Sequence, residues 1–263
     1  MRVKRGLLAV SALLAAVLLA GCGGDGPGSR KKEIERPTYN GGVAQLCAPA
    51  EGAPIAIFDT SLGEIRAQLF AQDAPLAVQN FTSLAEKGYY NGLIFHRAVY
   101  GFVVQSGDAG GDGLGGRTIW GRPYPVEYSG RVRHYSGALC AAFSQDDPVS
   151  GGSQFYFVAA LPGALDEGLR AQMEGAGWPE DAREAYAQVG GLPYLDNTDT
   201  VFGQVYQGME VVDAIARAET DENGRPLETI TLNSVTIASY SAADAAPSGE
   251  SDAGAPASST PEE

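Results

Sequence analysis

Between residues 53 and 240 the chain is cut into short runs in which apolar and polar side chains alternate, most of them ended by glycine or proline. A period of two is the signature of a strand with one face buried. Runs at 54–59 and 64–70 flank Ser61-Leu62-Gly63 and read as a hairpin. Others fall at 95–108, 138–143, 155–159, 200–205 and 229–240. In the last, Ile230 and Leu232 alternate and Val235 and Ile237 resume one step out of phase, which predicts a bulge near Asn233-Ser234. Only two stretches of this frame are helical. One begins at Pro75, where a missing N–H costs nothing. Asp73 is its expected cap, Val78, Phe81, Leu84 and Ala85 its apolar face, and Gly88 its stop. The other carries Met209, Val212, Ile215 and Ala216 on one side. Many short strands with few helices give a small closed β-barrel or sandwich.

Chemistry concentrates in Phe95-His96-Arg97-Ala98-Val99-Tyr100-Gly101-Phe102-Val103-Val104-Gln105-Ser106-Gly107-Asp108, two short strands meeting at a bend. One face of the pair carries Arg97, Phe102 and Gln105: a fixed cation, an aromatic wall and an amide. Gly137-Ala138-Leu139, Gly152-Ser153-Gln154-Phe155, Leu195-Asp196, Thr200-Val201-Phe202-Gly203-Gln204-Val205 and Gly208-Met209-Glu210-Val211-Val212 follow in order. At these spacings the set resembles the cyclophilins, the peptidyl-prolyl cis/trans isomerases, over roughly residues 53–239. The resemblance implies a mainly β fold: a closed eight-stranded antiparallel barrel with one α-helix capping each open end. It is interrupted once, at about residues 162–193, by a segment with helical patterns at 168–174 and 179–189.

The implied reaction is rotation about an X–Pro bond, which is slow because twisting breaks amide resonance at a barrier of ~18–20 kcal/mol. No nucleophile is needed; the catalyst must favour the twisted amide over both planar forms. Once twisted, the imide nitrogen regains a lone pair that accepts a hydrogen bond, and a guanidinium that never deprotonates is a suitable donor. By resemblance that donor is Arg97, with Phe102 and Gln105 completing the catalytic set. Phe102 and Val103 form the proline floor, Tyr156 and Leu195 its walls, Gln105 and Gln154 the amides holding the substrate backbone, and Ala142 and Phe143 the adjoining strand edge. His96 is expected on the opposite face, and His96 and His134 in structural roles. Phe143, Tyr156, Tyr194 and Asp199 stand where relatives commonly carry Asn, Phe, Trp and His. The implied function is isomerisation that assists folding of exported proteins at the cell envelope. The alternative is a catalytically weak module or chaperone that only holds proline segments. A hydrolase is not supported, since Ser153 lacks a nucleophile elbow.

The ends of the chain lie outside this frame. Residues 1–21 hold Arg2, Lys4 and Arg5 and then an apolar run from Leu7 to Ala20, the form of a secretory signal. Leu19-Ala20-Gly21-Cys22 resembles a bacterial lipobox, which implies cleavage before Cys22, a lipid on its thiol and attachment to a membrane on the exported side. Residues 22–52 read as a flexible linker, 53–240 as the folded domain, and 241–263 as a disordered acidic tail. With 18 basic against 32 acidic residues, the net charge of −14 argues against nucleic acid as a partner. Proline-containing unfolded or exported polypeptides are the expected clients, and a monomer the expected state. Cys47 and Cys140 can pair in an exported chain, though Cys140 reads equally as a small buried hydrophobe. Two histidines and no Cys/His cluster leave no metal site and no cofactor expected. Gly111 to Gly116 matches G-x-G-x-x-G but opens no helix, so it reads as a tight loop. Asp221 and Asn223 imitate a calcium loop whose closing position, Ile230, cannot ligate.

Overall fold

The computed structural model describes residues 31–144 and 146–243; the leader, Cys22 and the tail from residue 244 lie outside them. The fold is mainly β. Strands β1 (Pro54–Thr60), β2 (Gly63–Leu69), β3 (Leu93–Ile94), β4 (Arg97–Ala98), β5 (Val103–Ser106), β6 (Ala138–Ala141), β7 (Phe155–Val158), β8 (Thr200–Gln207) and β9 (Thr231–Ser239) form one sheet. Every neighbouring pair is antiparallel, in the order β3-β9-β1-β2-β8-β6-β7-β5-β4. The sheet curls into a half-barrel of nine strands, where a closed ring of eight was expected. The ninth strand arises because one stretch is split: β3 pairs with β9 and β4 with β5, with only Phe95-His96 between them. Across that link the partners change, Phe95 N–H donating to Ile230 and His96 N–H to Gln105.

Alternation sorts the two faces. Val104, Leu139, Phe155 and Phe157 join Phe58, Phe202 and Phe81 of α1 (Pro75–Glu86) in the main core. Phe58 meets Phe157 edge-on at 5.0 Å between centroids, and Phe81 meets Phe155 at 5.6 Å. Buried phenyls of this kind contribute about 1.5–3 kcal/mol each. The opposite faces of the same strands send Val103, Cys140, Tyr156, Val158 and Val201 into a second cluster. The bulge lies where the alternation slips: Asp59 opposes Ser234 and Thr60 opposes Leu232, leaving Asn233 unpaired.

Helix α1 corrects one expectation. Asp73 does not cap it; its carboxylate is taken by Ser129 and by Arg131 at 2.9 Å. The first-turn N–H groups of Leu76 and Ala77 donate instead to Glu127, at 3.0 and 2.9 Å. A carboxylate at a helix N-terminus satisfies orphan donors and opposes the dipole wherever in the sequence it comes from. At the other end of the domain, α4 (Met209–Arg217) buries Val211, Val212, Ile215 and Ala216.

Part of the expected linker, residues 31–52, falls within the described residues. Residues 31–52 lie along the domain as a strap, because they bring partners that the domain needs. Arg36 makes a two-pronged bond to the buried Asp213 at 2.6 and 2.8 Å and also reaches Ser136 and the Ala160 carbonyl. Lys31 donates to the Ala216 and Ala218 carbonyls at the end of α4. Gln45, buried, bonds both backbone groups of Arg133 and the Gln204 amide. The insertion folds as α2 (Glu167–Gly175) and α3 (Glu180–Val189), close to the helical patterns in the sequence. It packs Leu165, Met173 and Tyr186 against Tyr135 and against Tyr39, Val43 and Leu46 of the strap. Gly191 brings the chain back at φ 149°, where a Cβ would sit 2.5 Å from the His134 carbonyl oxygen. Cys47 is exposed, Cys140 buried, and both are free thiols.

Candidate active site

A single transverse row organises the outer face. Arg97 is opposite Gln105, Gln105 opposite Tyr156, Tyr156 opposite Cys140 and Cys140 opposite Val201. Five strands therefore present these residues side by side, since residues opposed across a ladder share a face. Phe102 stands just before β5, and the Arg97 guanidinium carbon lies 5.4 Å from its ring centre. Burial draws the Arg97 guanidinium below its ordinary value. Arg97 makes no ion pair or side-chain hydrogen bond among the described residues, so its donors are open.

Beneath this cation lies the second apolar cluster. Val103 and Tyr156 are buried in it, and Phe102, Ala142, Tyr194 and Leu195 pack against it, half-buried. Burial pushes the Tyr194 hydroxyl up to about 12. Phe143 departs from the group. Its ring meets Tyr124 edge-on at 5.7 Å and packs on the main core, so only its backbone is near the row. The two amides form a chain: Gln105 Nε2 donates to Gln154 Oε1 at 2.8 Å, and Gln154 Nε2 donates to the Gly113 and Gly115 carbonyls. Gln154 thus reaches the glycine-rich loop and ties it beside the row. Gly107, at φ 93°, brings this loop so close to Ser153 that a Cβ would sit 2.3 Å from its carbonyl oxygen.

The loop itself is wound around Asp108, whose carboxylate accepts N–H bonds from Gly110, Asp112 and Gly113. Burial works against the charge on Asp108, but those donors outweigh it and hold the carboxyl below the usual range. Its glycines serve this winding, and no helix follows. His96 points away from the row: it is buried beside Gly113, and neither ring nitrogen has a partner. Asp221 accepts from the Asn223 and Arg225 N–H groups in a turn, and no group of three or more candidate metal ligands occurs among the described residues.

One polar network lay outside the sequence reading. Asp196, next to Leu195, accepts from Arg133 Nη1 at 3.1 Å, from His134 N–H at 2.8 Å and Nδ1 at 2.9 Å, and from the Tyr186 hydroxyl at 3.0 Å. His134 stacks parallel to Tyr156, and the Tyr156 hydroxyl donates to Asp199 at 2.7 Å. The wall of the apolar pocket is thereby bolted to α3 of the insertion. Its partners lie as far as 63 positions apart. The only local signal was Leu195-Asp196 as a motif.

An unpaired guanidinium over an apolar floor, with amides alongside, is suited to hold a small ring while donating to an atom at its edge. Comparison with known proteins agrees. The family model for cyclophilin-type peptidyl-prolyl cis-trans isomerases matches residues 55–237. A protein of Staphylococcus saprophyticus, provisionally named a peptidyl-prolyl cis-trans isomerase, is 38% identical over 181 residues, 69% of this chain and 90% of its own length. A Staphylococcus aureus protein with the same provisional name is 33% identical over 71% of this chain and 93% of its own. The crystal structure of a Cryptosporidium parvum cyclophilin-type isomerase in the presence of the dipeptide Ala-Pro aligns with a TM-score of 0.57 at 26% identity, covering 71% of this chain and 99% of that one. The chain belongs to the cyclophilin-type peptidyl-prolyl cis-trans isomerase family.

Proposed function

We propose that this isomerase acts on exported polypeptides at the cell envelope, as a monomer held to a membrane by a lipid on Cys22. In this reading Phe102, Val103, Tyr156 and Leu195 enclose the proline ring. Gln105, Gln154 and the 142–143 edge hold the flanking backbone. Arg97 donates to the imide nitrogen as the bond twists. The observation that carries the mechanism is the open guanidinium of Arg97 set 5.4 Å over Phe102. A charge-assisted donor of this kind contributes about 1.5–3 kcal/mol, and it does so only where the nitrogen has recovered its lone pair. The barrel closes through Phe95-His96, with residues 93–98 counting as one strand, which makes the ring of eight. Lys31 and Tyr100, 5.9 Å apart at their charged and aromatic centres, set the strap beside the bend that carries Phe102.

The test of catalysis is exchange spectroscopy on an Ala-Pro peptide, which returns exchange rate and affinity from one sample. Exchange above the uncatalysed rate supports an isomerase; binding without exchange makes the chain a proline-holding module. The test of the anchor is Cys22→Ser in the full chain. Loss of membrane association or stalled processing supports the lipid, and a membrane-bound, normally processed variant overturns it.

A further inference from the structure

Beside the row lies a cavity of about 110 Å³ that the isomerase mechanism does not use. It shares walls with the proline site: Val132 and Val201 line it and also pack in the apolar cluster under Phe102. Three carboxylates line it, those of Glu127, Asp196 and Asp199. Glu127 is committed to the N-terminus of α1, and Asp196 to Arg133, His134 and Tyr186. Asp199 is not committed: Oδ2 accepts from Tyr156, and Oδ1 has no donor among the described residues.

A second atom is open. In its neutral form His134 donates Nδ1–H to the Asp196 carboxylate and presents Nε2 as an acceptor on the far edge of the ring. That Nε2 is buried and without a partner. Arg133 also lines the cavity, its guanidinium bonded to Asp196 and 4.6 Å over Trp178, and Arg131 is bonded to Asp73. With one Asp199 oxygen unmet and the carboxylates of Glu127 and Asp196 in the same lining, the cavity suits a ligand that donates. An ammonium or guanidinium has donors and no acceptor. Burial raises the Asp199 carboxyl above its usual range, with the Tyr156 hydroxyl and the nearby His134 ring opposing.

We propose that this cavity is a second subsite of the enzyme, taking the Lys or Arg side chain of a client residue next to the proline, with Asp199 as the residue that selects it. The volume suits the end of one such side chain, displacing the few waters that would fill it at about 30 Å³ each. The proposal rests on the isomerase reading of the adjoining row.

The test uses the full protein and Ala-Pro-Phe peptides carrying Lys, norleucine or Glu immediately before or immediately after the proline. Exchange spectroscopy gives kcat/KM, and the same titration gives affinity, so the preference is read even where turnover is slow. At low salt, Lys is expected to exceed norleucine by about threefold or more at one of the two positions, with Glu below both. In Asp199→Asn the Lys-to-norleucine ratio falls toward one. In the wild type the ratio shrinks in 1 M salt, where the screening length drops to about 3 Å, so the proposal is checked even if the variant does not fold. A ratio of one at both positions, or a ratio unchanged by Asp199→Asn, overturns the subsite. Failure to turn over every peptide, norleucine included, strikes the isomerase reading instead.

Discussion

On the proposed reading, catalysis turns on Arg97. If its bond to the imide nitrogen forms mainly in the twisted state, Arg97→Ala slows exchange by about 10- to 150-fold, at ~1.4 kcal/mol per tenfold, while affinity for the planar peptide changes much less. Arg97→Lys recovers part of the rate, because a point charge on a flexible stem lacks the planar fork. Phe102→Ala acts in the opposite sense, weakening affinity through lost apolar contact. Equal losses of rate and affinity in Arg97→Ala would mean that the guanidinium only grips substrate. Most of this was legible from the letters. Arg97, Phe102 and Gln105 lie within nine positions on two short strands and the bend between them, so the local sequence brings them together. Asp196 was not legible as a hub, since its donors come from Arg133, His134 and Tyr186, and no local pattern joins them. Phe143 was read only as part of the adjoining strand edge, and its ring packs away from the row against Tyr124.

At the scale of elements, strands were read better than the segments that bind them together. The hairpin, the bulge at Asn233 and both insertion helices followed from alternation and helical period. The strap did not, because glycine-rich composition speaks for flexibility, while a single buried ion pair speaks for order. Arg36 and Asp213 have side chains 17% and 5% exposed, and removing one partner leaves the other charge buried. Arg36→Ala should therefore cost about 3 kcal/mol of unfolding free energy, measured by urea titration. A change below about 0.5 kcal/mol would return residues 31–52 to the status of a linker. Likewise the cap of α1 was assigned to Asp73 by adjacency, and Glu127 holds it from 50 positions away. Glu127→Ala should cost about 1 kcal/mol and lower the melting temperature, whereas the same change in a solvated carboxylate is nearly silent.

For the whole molecule, pH acts through what is buried. Burial holds the His96 imidazole below its ordinary value, with Asp108 opposing. The folded value lies under the unfolded one, near 6.5. As pH falls through 6.5 the unfolded chain binds a proton that the native state refuses, so stability declines toward acid. Between pH 7.5 and 5.5 the decline from this group is about 1.4 kcal/mol at most, read as the difference in urea midpoint. His96→Leu, which removes the titrating ring at similar volume, flattens that arm. An equally steep arm in the variant would show that another group carries it.

The strap also decides how the molecule takes a load. A pull arriving from the N-terminal side meets Lys31 and Arg36 on α4 before it reaches any hydrogen bond of the sheet, because β1 begins only at Pro54. The contacts of residues 31–52 are then expected to open one after another, ahead of the sheet. Peeling them releases roughly 70 Å of chain at ~3.3 Å per residue while the row at Arg97 stays intact. Under such a load the strap is expected to yield first, and to yield length, so that the face carrying Arg97 moves away from the point of attachment without unfolding.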